Sequence, residues 1–198
     1  MRDRFAGEPV KSIALSCGEE QVRGEAMISQ YGLEGGAVYA LGPAIRAALD
    51  ETGEAKLILD LKPDLDLETL ATRLGRAGAK ASLSNRLRKI GLTPSAAALV
   101  REPGPAPSDP QDLAERIKAV ELTASADAGL SRAISAAGGI TQGALTDGLM
   151  LSALPGVFAA GEMLDWDAPT GGYLLQACFS TGLAAAKGVE AWLNEAAR

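Results

Sequence analysis

Histidine is absent from this chain. That excludes a Ser-His-Asp triad, a His-ligated metal and any imidazole acid or base. Cysteine is nearly absent as well. Cys17 and Cys178 lie far apart, so no CxxC pair supports a zinc, iron-sulfur or dithiol site, and both are expected to be small core residues. Basic residues are outnumbered, with 19 Lys and Arg against 25 Asp and Glu and a formal net charge of -6. This opposes binding to nucleic acid or to an anionic membrane, which needs clustered cations, and leaves a small neutral or anionic ligand as the suitable partner. The N-terminal MRDRFAGEPVKS has no apolar core of the signal-peptide kind, and no uninterrupted apolar run approaches the roughly 18 residues of a membrane span. A cytoplasmic location is expected. Any chemistry must come from carboxylates, Tyr, Lys or a cofactor.

At 198 residues the chain suits one domain, or one domain with a small inserted subdomain, and can bury a core without staples. VKSIALSC (Val10 to Cys17) and QVRGEAMI (Gln21 to Ile28) flank Gly18-Glu19-Glu20 and predict an antiparallel hairpin. Val38, Leu41, Ile45 and Leu49 recur at helical spacing. They predict a helix over Ala37 to Asp50 that exits at Gly53, with Pro43 delaying or kinking it. KLILDL (Lys56 to Leu61) predicts a buried strand. Three short helices follow, marked by Leu67-Leu70-Leu74, by Leu83-Leu87-Ile90 and by SAAALV after Pro94. REPGPAPSDP carries four prolines in ten residues and predicts an exposed connection. Asp109-Pro110 then resembles an N-cap and first helical residue, with Leu113, Ile117 and Val120 as the apolar stripe. Val120 to Ser125 and Val157 to Ala160 are further predicted strands. The mixture is α/β or α+β rather than a bundle.

The run GVFAAGEMLDWDAPTGGYLLQACFSTGLAAA (Gly156 to Ala186) carries the site argument. It reads as an apolar strand, an acidic loop and a glycine-opened helix. Gly161-Glu162 at the strand end delivers a carboxylate able to accept hydrogen bonds from ligand hydroxyls. Thr170 is predicted to cap a helix beginning at Gly171, leaving the N-H groups of Gly172 and Tyr173 at the positive end of the helix dipole. A flavin pyrimidine, whose N1 and O2 edge gains negative charge on reduction, suits that position. An ordinary capped helix with glycines for close packing fits the same spacing. Glu162, Asp165 and Asp167 offer three oxygens for a hard cation, although the spacing matches no metal motif and suits a solvated acidic loop better. Trp166 and Tyr173 either cover an aromatic ligand or fill a core edge. The glycine-rich turn between Tyr31 and Tyr39 either approaches a ligand or turns the chain.

RFAGEPVKSIAL, GEAMISQYGLEGGAVYAL, LILDLKPDL, SLSNRLRKIGL, AISAAGGI and, most specifically, LPGVFAAGEMLDWDAPTGGYLLQACFSTG resemble the C-terminal portion of the BaiN-like, or aminoacetone-oxidase-like, bacterial FAD-dependent oxidoreductases. The resemblance implies a partial FAD/NAD(P)-binding fold of the glutathione-reductase type. It would comprise a barrel-like segment at residues 1–62, a helical insertion with the proline-rich loop at 63–119, and a return to the barrel and the FAD-binding domain at 120–198. It further implies that Gly161-Glu162 meets the ribityl and phosphate region of FAD. Gly171-Gly172-Tyr173 would lie beside the isoalloxazine, with Asp165, Thr170, Leu174 and Leu175 as neighbours. Many relatives carry Asn where this chain has Leu174, so only a backbone contact is implied there. NAD(P)H is the implied electron donor, and the resemblance identifies no catalytic or substrate-binding side chain.

Flavoproteins of that fold grip the ADP half of FAD with a GxGxxG turn. No two of the 23 glycines lie two positions apart, so the motif occurs nowhere in this chain. The resemblance therefore implies a chain that starts midway through its family. Losing contacts to roughly 27 atoms of the ADP half, at about 0.3 kcal/mol each, removes on the order of 8 kcal/mol, so weak or absent FAD binding by this chain alone is expected. An exposed sheet edge and apolar face, with self-association through that face, are expected to accompany this loss. Two functions follow as expectations. One is a flavin-mediated hydride or electron transfer to an unknown organic acceptor; the other is a non-catalytic remnant or partner-binding module.

Overall fold

The computed structural model describes residues 2–76, 81–133 and 135–197. The chain forms two compact units, Met1–Asp127 and Ala128–Arg198.

In the first unit the short helix α1 (Arg2–Phe5) leads into β1 (Pro9–Cys17), β2 (Glu20–Ile28) and β3 (Leu33–Glu34). β1 and β2 form the predicted hairpin. Cys17 pairs with Glu20, which shortens the connection to Gly18-Glu19, and Gly18 takes φ 59 as a tight turn demands. Val10 and Ile13 are both buried although three positions apart, which strict alternation in a strand forbids. A bulge resolves this. Val10 pairs with Ala26 and Ile13 with Gly24, so Lys11 and Ser12 together oppose Glu25 and the inward face is restored. Cys17 ends the strand inside the core, where burial and then the neighbouring Glu20 carboxylate push its thiol above the ordinary range.

The helix predicted over Ala37 to Asp50 is two helices, α2 (Gly36–Ala40) and α3 (Gly42–Thr52), separated at Leu41. Pro43 sits in the first turn of α3, where its missing N-H is harmless, so the chain restarts rather than kinks. Gly53 ends α3 in the left-handed conformation as expected. β4 (Ala55–Asp60) follows, then α4 (Leu67–Gly75), α5 (Leu83–Lys89), α6 (Pro94–Leu99), α7 (Pro110–Lys118) and β5 (Val120–Ala124). The helices α4 to α7 are capped by the side chains of Asp66, Ser82, Thr93 and Asp109. The proline-rich connection before α7 is pinned by buried Arg86, whose guanidinium donates to the Ser108 carbonyl.

The strands make one antiparallel sheet in the order β3-β2-β1-β4-β5. Among the described residues no ladder joins β3 to β5, so this curled sheet is open where a closed barrel has no edges. Leu15, Leu59 and Val120 on adjacent strands are fully buried. They join Leu70, Leu74, Leu87, Leu99, Leu113 and Ile117 from the helices in a single core, each such leucine contributing about 1.5–3 kcal/mol by leaving water. Lys118 closes the β4–α4 turn. Its ammonium donates to the Lys62 and Leu65 carbonyls at 3.0 and 2.8 Å and pairs with Asp60 at 2.6 Å, and the other oxygen of Asp60 takes the Lys62 N-H at 2.8 Å.

The second unit has less regular structure. Short 3-10 turns occur at Leu130–Arg132, Gln142–Ala144 and Gly161–Met163, and one long helix, α8 (Tyr173–Ala196), closes the chain. The strand predicted at Val157 to Ala160 does not form. Phe158 makes an isolated antiparallel bridge with Met150, and two further bonds, from Leu151 N-H to the Val157 carbonyl and from Ala159 N-H to the Leu149 carbonyl, complete a small irregular turn cluster. Apolar composition marked the strand, but among the described residues no neighbouring strand extends the ladder. Among the described residues no helix is long and apolar enough to cross a membrane.

Candidate functional site

The site predicted in Gly156 to Ala186 lies entirely in the second unit. Its base is the turn at Gly161. Gly161 takes φ 72 and its N-H donates to Thr181 Oγ1 at 2.9 Å, while Thr181 itself donates to the Ala177 carbonyl at 2.6 Å. A Cβ on Gly161 would stand 3.5 Å from Cys178 Sγ. One face of α8, carrying Cys178, Thr181, Ala185 and Gly188 at helical spacing, thus holds the rest of the unit. At the last of these positions the contact is backbone against backbone, since a side chain on Gly188 would overlap the Gly148 carbonyl.

Glu162 follows within the 3-10 turn rather than at a strand end. Its exposed carboxylate accepts the Ala136 N-H at 3.0 Å, so one oxygen already has a partner within the chain. Asp165 is exposed, and its backbone rather than its carboxylate is engaged: Ile140 N-H donates to the Met163 carbonyl and Asp165 N-H to the Ile140 carbonyl, both at 2.9 Å. This bridge explains the Gly138-Gly139 pair, for which spacing alone offered no role. Gly139 takes φ 148, and a Cβ there would lie 2.6 Å from the Met163 carbonyl oxygen. Among the described residues no three acids gather as a metal-ligating group, so Glu162, Asp165 and Asp167 do not form the three-oxygen set that their spacing allowed.

The opening of α8 differs from the prediction in one respect that matters chemically. Thr170 does not cap it. The helix starts at Tyr173 with Gly172 as N-cap, at φ 89 and ψ 3, and no side chain accepts from its first turn. The first helical bond runs from Gln176 N-H to the Gly172 carbonyl. The N-H groups of Tyr173, Leu174 and Leu175 therefore have no helical acceptor, at the positive end of a 24-residue helix. Gly171 takes φ 108, and a Cβ on Gly172 would meet nothing within 4 Å, so the backbone is open to close approach. Trp166 and Tyr173 are 44 and 58% exposed, which leaves part of each ring available to an aromatic ligand. The arrangement suits the FAD that the sequence motifs imply. It offers backbone donors to an edge that gains negative charge, an approach free of side chains, and aromatic surface beside it.

The turn between Tyr31 and Tyr39 lies in the first unit. Gly35 takes φ 106, and a Cβ there would come within 3.3 Å of the Ala26 backbone, so this turn packs on its own sheet. Sequence reasoning missed a second feature of the first unit, a cavity of about 580 Å³ beside the β1 bulge and the β4–α4 turn. The irregular spacing of Val10 and Ile13 was its available signal.

Residues 20–188 match the family described as HI0933-like protein Rossmann domain, a family of FAD-binding, oxidoreductase-type Rossmann domains. The match spans both units.

Proposed function

The chain belongs to the HI0933-like family, and from that premise we propose that its second unit receives the isoalloxazine end of FAD in a flavin-dependent oxidoreductase of the BaiN-like kind. The uncapped start of α8 carries this reading. Gly171 and Gly172 hold the chain in left-handed turns that no other residue type adopts without strain. The backbone donors of Tyr173, Leu174 and Leu175 are thereby fixed in place before any ligand arrives, which favours charge developing at a flavin edge. Gly161 and Glu162 would lie toward the ribityl chain, with the second carboxylate oxygen of Glu162 as acceptor, and Asp165 and Thr170 would border the opening. FAD bound there would supply two-electron redox chemistry, with NAD(P)H as donor, that no side chain of this histidine-free chain provides.

The GxGxxG turn does not occur in this sequence, so it would be supplied by polypeptide outside it, and the chain would act as the C-terminal part of the flavoprotein. The test is an NMR titration of the purified chain with riboflavin, FAD and ADP. Riboflavin and FAD are expected to shift the Tyr173 to Leu175 amides with similar, weak affinity, whereas ADP leaves them unmoved. The proposal fails if riboflavin moves none of these amides up to about 1 mM, where binding is worth roughly 4 kcal/mol, or if ADP moves them equally.

A second reading, a non-catalytic partner-binding module, is favoured by the outer face of α8. Leu175, Phe179 and Leu183, spaced four apart, are 61, 66 and 60% exposed. Such a stripe is suited to burial against another polypeptide surface, including a second copy of this chain. Concentration-dependent sedimentation abolished by Phe179→Asp, with no riboflavin effect, would favour this reading.

A further inference from the structure

We propose that the cavity in the first unit binds a small organic monoanion, a carboxylate carrying a short apolar chain. At about 580 Å³ it has the size of a small-molecule site, typically about 300–1,000 Å³. Its floor is apolar, formed by the buried side chains of Leu61, Ile90, Leu92 and Ala96.

Three cations stand at its wall in a chain whose net charge is -6: Lys11, Lys62 and Arg73. The acid among the lining residues, Asp64, is already paired, accepting from Arg23 Nη1 at 2.8 Å. Lys62 donates one hydrogen bond, to the Gly91 carbonyl at 3.1 Å, and an ammonium has two more to give. The side chains of Lys11 and Arg73 make no hydrogen bond or ion pair among the described residues. The uncompensated charge beside an apolar floor therefore calls for a ligand with an anionic head and an apolar body.

Two structural features hold this wall in place without a ligand. Lys118 fixes the β4–α4 turn through the Lys62 and Leu65 carbonyls. On the other side, the β1 bulge sets Lys11 beside Ser12, a non-glycine residue at φ 54. A left-handed residue of this kind persists where its surroundings demand it, and such positions gather at binding sites. The site involves neither α8 nor flavin, and stands whether or not the function proposed above is right.

The experiment is an NMR titration of the full chain with hexanoate, with uncharged hexanamide and inorganic phosphate as parallel probes. Hexanoate is expected to give saturable shifts at the Gly91 and Leu92 amides and to bind at least about tenfold more tightly than either other probe. Charge reversal at two exposed positions, Lys11→Glu with Arg73→Glu, is expected to weaken hexanoate by at least about tenfold while resonances of the core strands stay in place. The proposal is overturned if hexanamide binds as tightly as hexanoate, if phosphate alone does so, if the double variant binds hexanoate unchanged, or if no saturable shift appears at Gly91 and Leu92.

Discussion

The two units of this chain carry comparable apolar residues and use them in opposite ways. Among the described residues, the buried apolar side chains belong to Met1–Asp127 except for Ala159 and Ala185. The first unit draws its leucines from β1, β4 and α4 to α7 into one core. The second unit has a long helix that leaves Tyr173, Leu175, Phe179, Leu183 and Leu193 exposed, and it is held by glycine contacts and backbone bonds at Gly139, Gly161 and Gly188 and by Trp192 packed on Gly156. Hydrogen bonding and apolar burial are thus separable: the second unit satisfies much of the first locally and achieves little of the second. Since burial is the dominant favourable term in folding, its stability should be the lower of the two, and its outward stripe is where a covering surface would add the most.

The sharpest way to break this comparison is a matched pair of truncations. Leu59→Ala removes a fully buried side chain on β4, between β1 and β5, and is expected to destabilise the first unit by about 2–5 kcal/mol in urea unfolding. Phe179→Ala removes a side chain that is 66% exposed and is expected to change stability by less than about 0.5 kcal/mol. Equal losses would mean that the α8 stripe is already covered in solution. Native-state hydrogen exchange sharpens the same point, with amides around Gly161 and Ile140 expected to open well before those of β1 and β4.

Lys118→Met should come next in size. It leaves the Asp60 carboxylate, which is largely buried, without its cation and frees two carbonyls. A loss of about 1.5–3 kcal/mol is expected in urea unfolding. The loss should fall wholly on the first unit, so an unchanged unfolding midpoint there would overturn the role given to this lysine. Gly139→Ala is the counterpart in the second unit. The added Cβ meets the Met163 carbonyl at 2.6 Å and strains φ 148, costing about 1–3 kcal/mol locally. It should speed exchange at the Ile140 and Asp165 amides and leave the first unit unaltered.

The same contrast governs what was legible in the sequence. In the first unit, periodicity and punctuation located the hairpin, β4 and the four capped helices, because the elements there bury their own apolar faces and patterning reflects that. Where it misled, at Ala37 to Asp50, the apolar stripe runs on across two helices while Pro43 dictates the restart at Gly42. In the second unit the same rules failed at Val157 to Ala160, because an apolar run becomes a strand only when another strand pairs with it. Thr170 was misplaced as a cap for a similar reason. Gly172, in the left-handed conformation, serves as N-cap without a side chain. The glycines themselves were the visible signal, and Gly171 and Gly172 shape the opening as their spacing suggested. The family motif singled out the candidate site, which no periodicity did, while the cationic cavity of the first unit is assembled from four separate segments and has no contiguous signature.

The last expected effect concerns a cap, and it separates the units by pH. Asp66 accepts the Thr69 N-H at 2.7 Å and the Thr69 hydroxyl at 2.9 Å. The backbone bond first, then the hydroxyl, holds its carboxyl below the ordinary carboxylate value. A carboxyl depressed on folding contributes stability that is fully present above its unfolded value and is lost as pH falls through the folded one. Acid should therefore loosen the start of α4, and Asp66→Ala should flatten that part of the acid-side stability curve. The opening of α8 has no side-chain cap to protonate. Across the same pH range, exchange protection at Thr69 should fall in the parent chain, while the Asp66→Ala variant shows low protection at every pH. At Gln176, the first bonded amide of α8, protection corrected for intrinsic exchange should follow no such titration. A matching acid transition at Gln176 would show that the α8 opening depends on an ionised carboxylate after all.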